Sequence, residues 1–268
     1  MIKSHDKQIA IAKVAFVGPG GSGKSTILDI INSKVPQSNR GEIAKIDSHG
    51  STLISLEISP QNIKPILGKS LQFRLVASTG KVSSPASWQI LLEDVDAIVF
   101  VASSRVSMMV ENVKALNELE ENLQALNVSP ISLPFIYLYN KRDAERQYTI
   151  DELNAKINRR NAPYFETVAI RGYGIFQALK LIIETANNAV KKQLEKYDPN
   201  EKRDLEHSKT ISEENGSNNK ESVFTFQASS LKESDTIGSD NKEKESTDAN
   251  RTNTGGLLRR LGKRLSSK

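Results

Sequence analysis

Apolar residues in the first 197 positions form short continuous runs separated by polar segments. Runs that are apolar nearly throughout, as strands buried on both faces of a parallel sheet are, lie at 12–18, 95–104 and 133–143. The runs at 52–59 and 70–78 also have strand character, and Pro60, Pro65 and Gly68 separate them, which predicts a hairpin-like pair. A last strand is predicted at 164–170.

Between these runs the apolar residues recur at helical spacing. Helices are predicted at 24–35, 109–126, 149–160 and 174–197. The third opens on Thr149 with Glu152 three positions later, the pattern of a capping box. Strands that alternate with helices predict an α/β domain with a mostly parallel sheet. Trp88 lies outside these elements and is expected in the core, with a surface anchor beside the switch as the alternative.

The chain changes character after residue 197. Residues 198–254 carry thirteen acidic and eight basic side chains among Ser, Asn and Thr, with one apolar island at "SVFTFQASSL". Such a stretch buries too little apolar surface to offset its chain entropy, which predicts a disordered linker. The predicted organisation is a folded domain at 1–197, this linker at 198–254, and a basic amphipathic segment at 255–268.

The final segment, "GGLLRRLGKRLSSK", has five basic residues and no acid. Its four leucines fall on one face of a helix, with most of the basic residues opposite: Leu257, Leu258, Leu261 and Leu265. This pattern is typical of a small amphipathic helix at an anionic membrane surface. Docking in a groove of another protein and a merely solvated basic end remain open, and any membrane contact is expected to be weak and reversible.

Composition excludes several classes of site. The chain has no Cys and three His, which excludes disulfides and thiolate sites and disfavours a structural metal site. No signal peptide and no membrane-spanning apolar run is evident, so the expected location is the cytoplasm. The formal net charge of +5 reflects a mildly basic domain and a basic tip rather than a clustered basic surface, so no nucleic-acid partner is predicted.

The stretch "GPGGSGKST" follows the first predicted strand and opens the first predicted helix. It fits the phosphate-binding pattern G-x-x-x-x-G-K-[ST], in which backbone N–H groups wrap the phosphates at a helix N-terminus. Lys24 should reach the β- and γ-phosphates, and the Ser25 hydroxyl should ligate Mg²⁺. The predicted nucleotide-binding residues here are Gly18, Gly20, Gly21, Ser22, Gly23, Lys24, Ser25 and Thr26.

A second motif follows the strand predicted at 133–143. Asn140 can bond the O6/N7 edge of guanine, and the stem of Lys141 can cover the base. Asp143 can accept from N1–H and the exocyclic amine, a pair of donors that adenine does not present. Ligands of open α/β sheets bind at the carboxyl ends of the strands. Together the two motifs predict GTP or GDP with Mg²⁺.

With these motifs the chain resembles the Ras-like small GTPases, and more narrowly the bacterial MglA-type group that controls cell polarity and gliding motility. "LEDVDAIVFVASS", "ENVKALNELEENL", "PFIYLYNKRD" and "NRRNAPYFETVAIRGYGIFQAL" resemble the second half of that group in the same order. The resemblance covers roughly residues 10 to 195. It implies a Ras-like G domain, a Roadblock-type regulatory dimer as partner, and a polarity or motility effector. Ala169, in the last of these runs, is also predicted to bind the nucleotide.

The switch residues depart from the family. By resemblance, Thr52 is the switch I threonine that senses the γ-phosphate and ligates Mg²⁺, and Ser51 stands where the MglA-type group has an arginine. In switch II, Gly80 can still contact the γ-phosphate through its N–H, whereas Ala77 replaces a residue of the Mg²⁺ water shell. Lys81 replaces the glutamine that orients the attacking water, so it either supplies charge to the γ-phosphate or is a solvated loop residue.

An arginine finger alone is worth about 10³ to 10⁵ in rate, so loss of both the arginine and the glutamine predicts slow hydrolysis. The resulting hypothesis is a guanine-nucleotide switch whose GTP hydrolysis is slow or depends on a partner. One alternative is a scaffold that binds GTP or GDP without cleaving it and works through its tail. Another is an ATP-using P-loop kinase, against which Asn140 and Asp143 argue.

Overall fold

The computed structural model describes residues 2–3, 9–48, 50–61, 63–129 and 133–197. The linker predicted at 198–254 and the amphipathic segment predicted at 255–268 lie outside the described residues. Within them the strands are β1 (Ile2–Lys3), β2 (Ile9–Val17), β3 (Ala44–Ser48), β4 (Ser51–Ile58), β5 (Ser70–Ser78), β6 (Ala97–Ser103), β7 (Phe135–Asn140) and β8 (Tyr164–Glu166). The helices are α1 (Lys24–Lys34), α2 (Pro85–Leu92), α3 (Met109–Ala125), α4 (Ile150–Ile157) and α5 (Ile175–Tyr197).

The described strands form one mixed sheet in the order β3-β4-β5-β2-β6-β7-β8, and β1 pairs antiparallel with β2. From β5 to β8 each neighbouring pair is parallel. The hairpin-like pair predicted from the two proline-separated runs is confirmed, because β4 and β5 pair antiparallel. The predicted α/β domain with a mostly parallel sheet is therefore confirmed, with an antiparallel edge formed by β3 and β4.

Helices cover both faces of the sheet, and each face has its own apolar core. One core lies between the sheet and helices α1 and α5. The other lies against α2, α3 and α4 and includes Trp88, which is 7% exposed as expected of a core residue. Burial on both faces explains why the central strands appear in the sequence as continuous apolar runs.

Features of the fold that differ from the sequence prediction include β3, α2 and the last strand. Strand β3 was not predicted, because four of its five residues are exposed and carry no apolar pattern. Helix α2 was not predicted either, although Ser84 accepts from the backbone N–H of Ser87 as an N-cap and Pro85 opens the helix. The last strand is shorter than predicted. It ends at Glu166, and Ala169–Arg171 form a 3₁₀ turn instead of continuing it.

Polar groups connect β2 to the end of α2, to the residue before β6 and to α5. The buried Lys13 of β2 donates through Nζ to the carbonyls of Ile90 and Glu93, at the end of α2, at 2.7 Å each. Its backbone N–H donates to Asp96, which also accepts from Gln193 of α5.

The capping box predicted at Thr149 is present on α4. No helix among the described residues is long and apolar enough to cross a membrane.

Candidate functional site

Residues 18–23 between β2 and α1 form the phosphate loop, and two of its positions accept only glycine. Gly18 has φ +151°, and a Cβ added there would lie 2.1 Å from the carbonyl oxygen of Val101 on β6. Gly23 has φ +105°, and its Cβ would lie 2.2 Å from Nδ2 of Asn140. The loop therefore packs backbone against β6 on one side and against the end of β7 on the other.

Helix α1 begins at Lys24, and no side chain of the described residues caps its N-terminus. Gly23 is the N-cap residue in left-handed conformation, no side chain caps it, and the first turn has no acidic residue. Ser25 and Thr26 of this turn are half-buried. The first N–H groups of a helix have no intrahelical partner and carry the positive end of its dipole. This end of α1 is suited to an anion.

The Lys24 side chain folds back over the loop. It is 3% exposed, and its ammonium donates to the carbonyl oxygens of Gly18 and Pro19 at 2.9 Å each. Burial lowers the pKa of this ammonium to about 8. An ammonium held only by neutral carbonyls in a buried site gains from a phosphate, because an anion favours its charged form.

The Asn140 side chain joins the phosphate loop to the segment that follows β8. Its Nδ2 donates to the Ser22 carbonyl at 2.7 Å. Its Oδ1 accepts from the Ala169 backbone N–H at 2.9 Å and from the Thr167 hydroxyl at 3.2 Å. Asn140 is 2% exposed, so these bonds are made out of contact with water. The residues predicted from three separate stretches of sequence are thus held together by one amide.

Lys141 and Asp143 follow Asn140 on the outer side of this junction. Lys141 has a left-handed backbone with φ 64° and is half-buried. Burial, followed by the nearby charge of Arg105, lowers the pKa of the Lys141 ammonium, while Asp143 acts in the opposite direction. Asp143 is exposed. The lysine stem can cover a base while the carboxylate beside it stays open to donors.

Thr52 lies in the β3–β4 hairpin. Its hydroxyl donates to Asp47, its register partner on β3, at 2.7 Å. Its carbonyl accepts from the backbone N–H of Thr79 at 2.9 Å, which links it to the end of β5. The single hydroxyl proton of Thr52 is therefore directed to the neighbouring strand and not to the phosphate loop.

The segment between β5 and α2 carries the predicted switch II residues. Ala77 is fully buried in β5. The Gly80 carbonyl accepts from the Ser78 hydroxyl at 2.7 Å. Lys81 approaches the phosphate loop through its backbone, because a Cβ added to Gly20 would lie 3.6 Å from the Lys81 nitrogen. Its Nζ is 3.1 Å from Glu118 on α3.

A group of serines ties the β3–β4 turn to the start of α2. Ser51 Oγ lies 2.9 Å from Ser83 Oγ and accepts from the Ser83 backbone N–H at 3.0 Å. The Ser87 hydroxyl is fully buried and donates to the Ser48 carbonyl at 2.9 Å. Ser51 is thus 6% exposed, and its hydroxyl is bonded to Ser83.

The phosphate loop has the geometry of an anion cradle. Gly21 has φ +71°, and no atom of the described residues lies within 4 Å of a Cβ added there, so the loop is open at this point. The Ser22 hydroxyl is buried and has no hydrogen-bond partner among the described residues. Left-handed glycines that open a concave backbone, an uncapped helix end and a desolvated ammonium are the parts of an anion cradle.

Sequence reasoning missed several residues of this region. Thr167 and Glu118 gave no signal, since a threonine after a strand and an acid on an amphipathic helix are common. The serines at 48, 83, 84 and 87 were also missed. The one available signal is "SSPASW", which combines an N-cap serine with a proline at the first helical position.

Comparison with known proteins finds a matching family model and related proteins. A family model described as the ADP-ribosylation factor family matches residues 1–186. The Mutual gliding-motility protein MglA of Myxococcus xanthus (strain DK1622) is 31% identical over 180 residues, which span 67% of this chain and 92% of that protein. The Ras-related protein Rab7 of Prunus armeniaca is 24% identical over 184 residues, spanning 66% and 83% of the two chains.

Among solved structures, that of the Arl6 BBS3 small GTPase of Trypanosoma brucei with a bound nucleotide analogue, GppNp, covers 67% of this chain and 99% of its own. It is 20% identical, with a TM-score of 0.46.

Proposed function

The chain belongs to the ADP-ribosylation factor family of small GTPases, and from that premise we propose that it acts as a guanine-nucleotide switch with slow or partner-dependent GTP hydrolysis. Family membership implies binding of guanine nucleotides. The α/β Ras-like G domain provides the platform, with the candidate residues at the carboxyl ends of its parallel strands.

The observation that carries this proposal is the Asn140 clamp. One buried amide bonds the phosphate loop at Ser22 and the guanine-side segment at Ala169, so the two halves of a nucleotide site are fixed at one separation. Such an arrangement supports recognition of a base and its phosphates as one ligand. Asp143, exposed beside this clamp, supplies the acceptors that favour guanine over adenine.

The chain's own groups suggest how phosphate is held. Backbone N–H groups of the loop and of the first turn of α1 would bind phosphate oxygens. The Lys24 ammonium would exchange its carbonyl partners for the β- and γ-phosphates. Mg²⁺, which supplies charge neutralisation when bound, would be held by the Ser25 hydroxyl together with the phosphates and water. Thr52 would join it after releasing Asp47.

Slow hydrolysis follows from the groups near the expected γ-phosphate. The Ala77 side chain has no oxygen to offer and is buried. Ser51 cannot act as an arginine finger, and its hydroxyl is committed to Ser83. Phosphoryl transfer depends on positioned charge, so without a partner the rate is expected at or below the slow intrinsic rate of such proteins.

A role in cell polarity or motility is proposed from the likeness to a protein named for gliding motility. The proposed regulator is a Roadblock-type dimer that acts on GTP turnover, and the effector would read the nucleotide-dependent state of the loops near Thr52 and Gly80. Residues 255–268 are proposed to make a weak, reversible membrane contact. No nucleic-acid partner is proposed.

A second candidate function is a scaffold that binds GTP or GDP and does not cleave it. The hydrogen bonds from Thr79 to Thr52 and between Ser51 and Ser83 favour it, because they tie the two switch segments to each other. A partner that releases these bonds would distinguish a switch from a scaffold.

The guanine assignment is tested by nucleotide competition. Asp143 should pair with the exocyclic amine that inosine lacks, so the protein should bind GDP more tightly than IDP. Asp143→Ala should weaken GDP binding and remove that preference, while Asp151→Ala, which changes an exposed acid of the next helix, should leave both unchanged. Equal affinity of the unmodified protein for GDP, IDP and ADP would refute the guanine site.

A further inference from the structure

The loop that carries Lys81 is anchored on both sides of that residue. Before it, Thr79 donates to the Thr52 carbonyl at 2.9 Å and the Ser78 hydroxyl donates to the Gly80 carbonyl at 2.7 Å. After it, the Ser83 N–H donates to Ser51 at 3.0 Å. The main chain at Lys81 is therefore held in place, and its side chain can change direction without moving the loop.

This fixed main chain lies beside the phosphate loop. A Cβ added to Gly20 meets one neighbour within 4 Å among the described residues, the backbone nitrogen of Lys81 at 3.6 Å. Lysine carries its charge on a flexible four-carbon stem. An ammonium that starts from this position can therefore be directed toward phosphates held by the loop.

In the structure that ammonium is directed to a carboxylate instead. Lys81 Nζ lies 3.1 Å from Oε1 of Glu118 on α3, with the two side chains 59% and 26% exposed. Exposed ion pairs of this kind shift an equilibrium by about fivefold at most. A multiply charged phosphate can therefore displace Glu118 from Lys81, and breaking the ion pair lowers the affinity for that phosphate by a measurable amount.

We propose that Glu118 is a positioning residue that competes with the γ-phosphate for the Lys81 ammonium. This inference rests on the proposed nucleotide site and adds a regulatory element to it. With GDP bound, Lys81 stays on Glu118. With GTP bound, Lys81 moves to the γ-phosphate, so Glu118 lowers the affinity for GTP and leaves the affinity for GDP unchanged.

The test measures the affinity of the full-length protein for GDP and for the non-hydrolysable analogue GppNp. Glu118→Gln should tighten GppNp binding about two- to fivefold, with GDP binding unchanged. Lys81→Met keeps an unbranched stem without the charge and should weaken GppNp binding alone. In the Lys81→Met background, Glu118→Gln should have no further effect. Glu121→Gln is the matched control, because it removes an exposed acid from the same helix.

The outcomes separate this inference from the proposed function. An equal effect of Glu118→Gln on GDP and GppNp, an effect that persists with Lys81→Met, or the same effect from Glu121→Gln would overturn the inference while the nucleotide site stands. Failure of the unmodified protein to bind either nucleotide would overturn the proposed function and the inference with it. The gain should also shrink in 1 M salt, where charges are screened over about 3 Å.

Discussion

Replacing Asn140 with alanine should destabilise the protein before any nucleotide is involved. The change removes the partner of the Ser22 carbonyl and of the Ala169 N–H, which the clamp bonds at 2.7 and 2.9 Å. Ser22 is fully buried and Ala169 is 4% exposed, so water replaces the amide poorly. At about 1–3 kcal/mol for each of these two buried groups left unsatisfied, the free energy of unfolding should fall by about 2–6 kcal/mol.

The assay is urea unfolding of nucleotide-free protein. It measures how much the Asn140 hydrogen bonds stabilise the fold, without any contribution from a bound base. Thr167→Val is the matched control. It deletes the 3.2 Å bond from Thr167 to Asn140 and leaves no orphaned donor, so its cost should stay at or below about 1.5 kcal/mol. If Asn140→Ala unfolds at the same urea concentration as the unmodified protein, the amide does not join the two loops in solution and the reasoning fails.

Three further predictions follow from the site. Gly23→Ala should cost about 3 kcal/mol or more in unfolding free energy, because its Cβ would strike the Asn140 amide. Gly68→Ala should cost about 1 kcal/mol, since its φ of +71° is equally left-handed but its Cβ would meet nothing; equal costs would contradict this. The dissociation constant for GDP should rise about fourfold from pH 7 to 8.5. In the free protein Lys24 loses its proton as the pH passes about 8, and phosphate binding must restore that proton. A dissociation constant that does not change with pH would refute the role of Lys24 in holding phosphate. Ser87→Ala should lower the free energy of unfolding, measured by calorimetry, by about 1–3 kcal/mol, because the buried Ser87 hydroxyl donates to the Ser48 carbonyl. An unchanged melting temperature would show that this hydrogen bond does not stabilise the protein.

Most of the fold could be predicted because its central strands and helices obey simple patterns. Strands buried on both faces appear as apolar runs, and α3 shows its buried stripe at helical spacing. Strand β3 could not be predicted in this way, because an edge strand with four exposed residues has no buried face to mark it. Its pairing with β4 depends on backbone hydrogen bonds, which the side chains do not report.

The run at 164–170 shows a second limit of pattern reading. It is apolar enough to continue as a strand, but the Asn140 amide takes the backbone N–H of Ala169. Thr167 still donates its N–H to the Tyr139 carbonyl of β7, but beyond it the chain turns at Gly172. A tertiary hydrogen bond from a residue far away in sequence therefore ends the strand.

The candidate site divides along the same line. Gly18 to Ser25 and Asn140 to Asp143 could be identified because their chemistry is local and each motif follows a strand. The partners that make the site rigid or set its charge, Thr167 and Glu118, reach it from other elements, so only the folded chain shows them. Thr52 remains a prediction as a switch residue.

The measurement that tests the central claim most directly uses purified full-length protein with saturating GTP and Mg²⁺. Phosphate release and the identity of the retained nucleotide are followed together over hours. The account predicts that guanine nucleotide stays bound and that phosphate appears no faster than the intrinsic rate of unaided small GTPases, on the order of 10⁻⁴ per second. Loss of guanine nucleotide from the protein, or turnover within seconds without a partner, would contradict it.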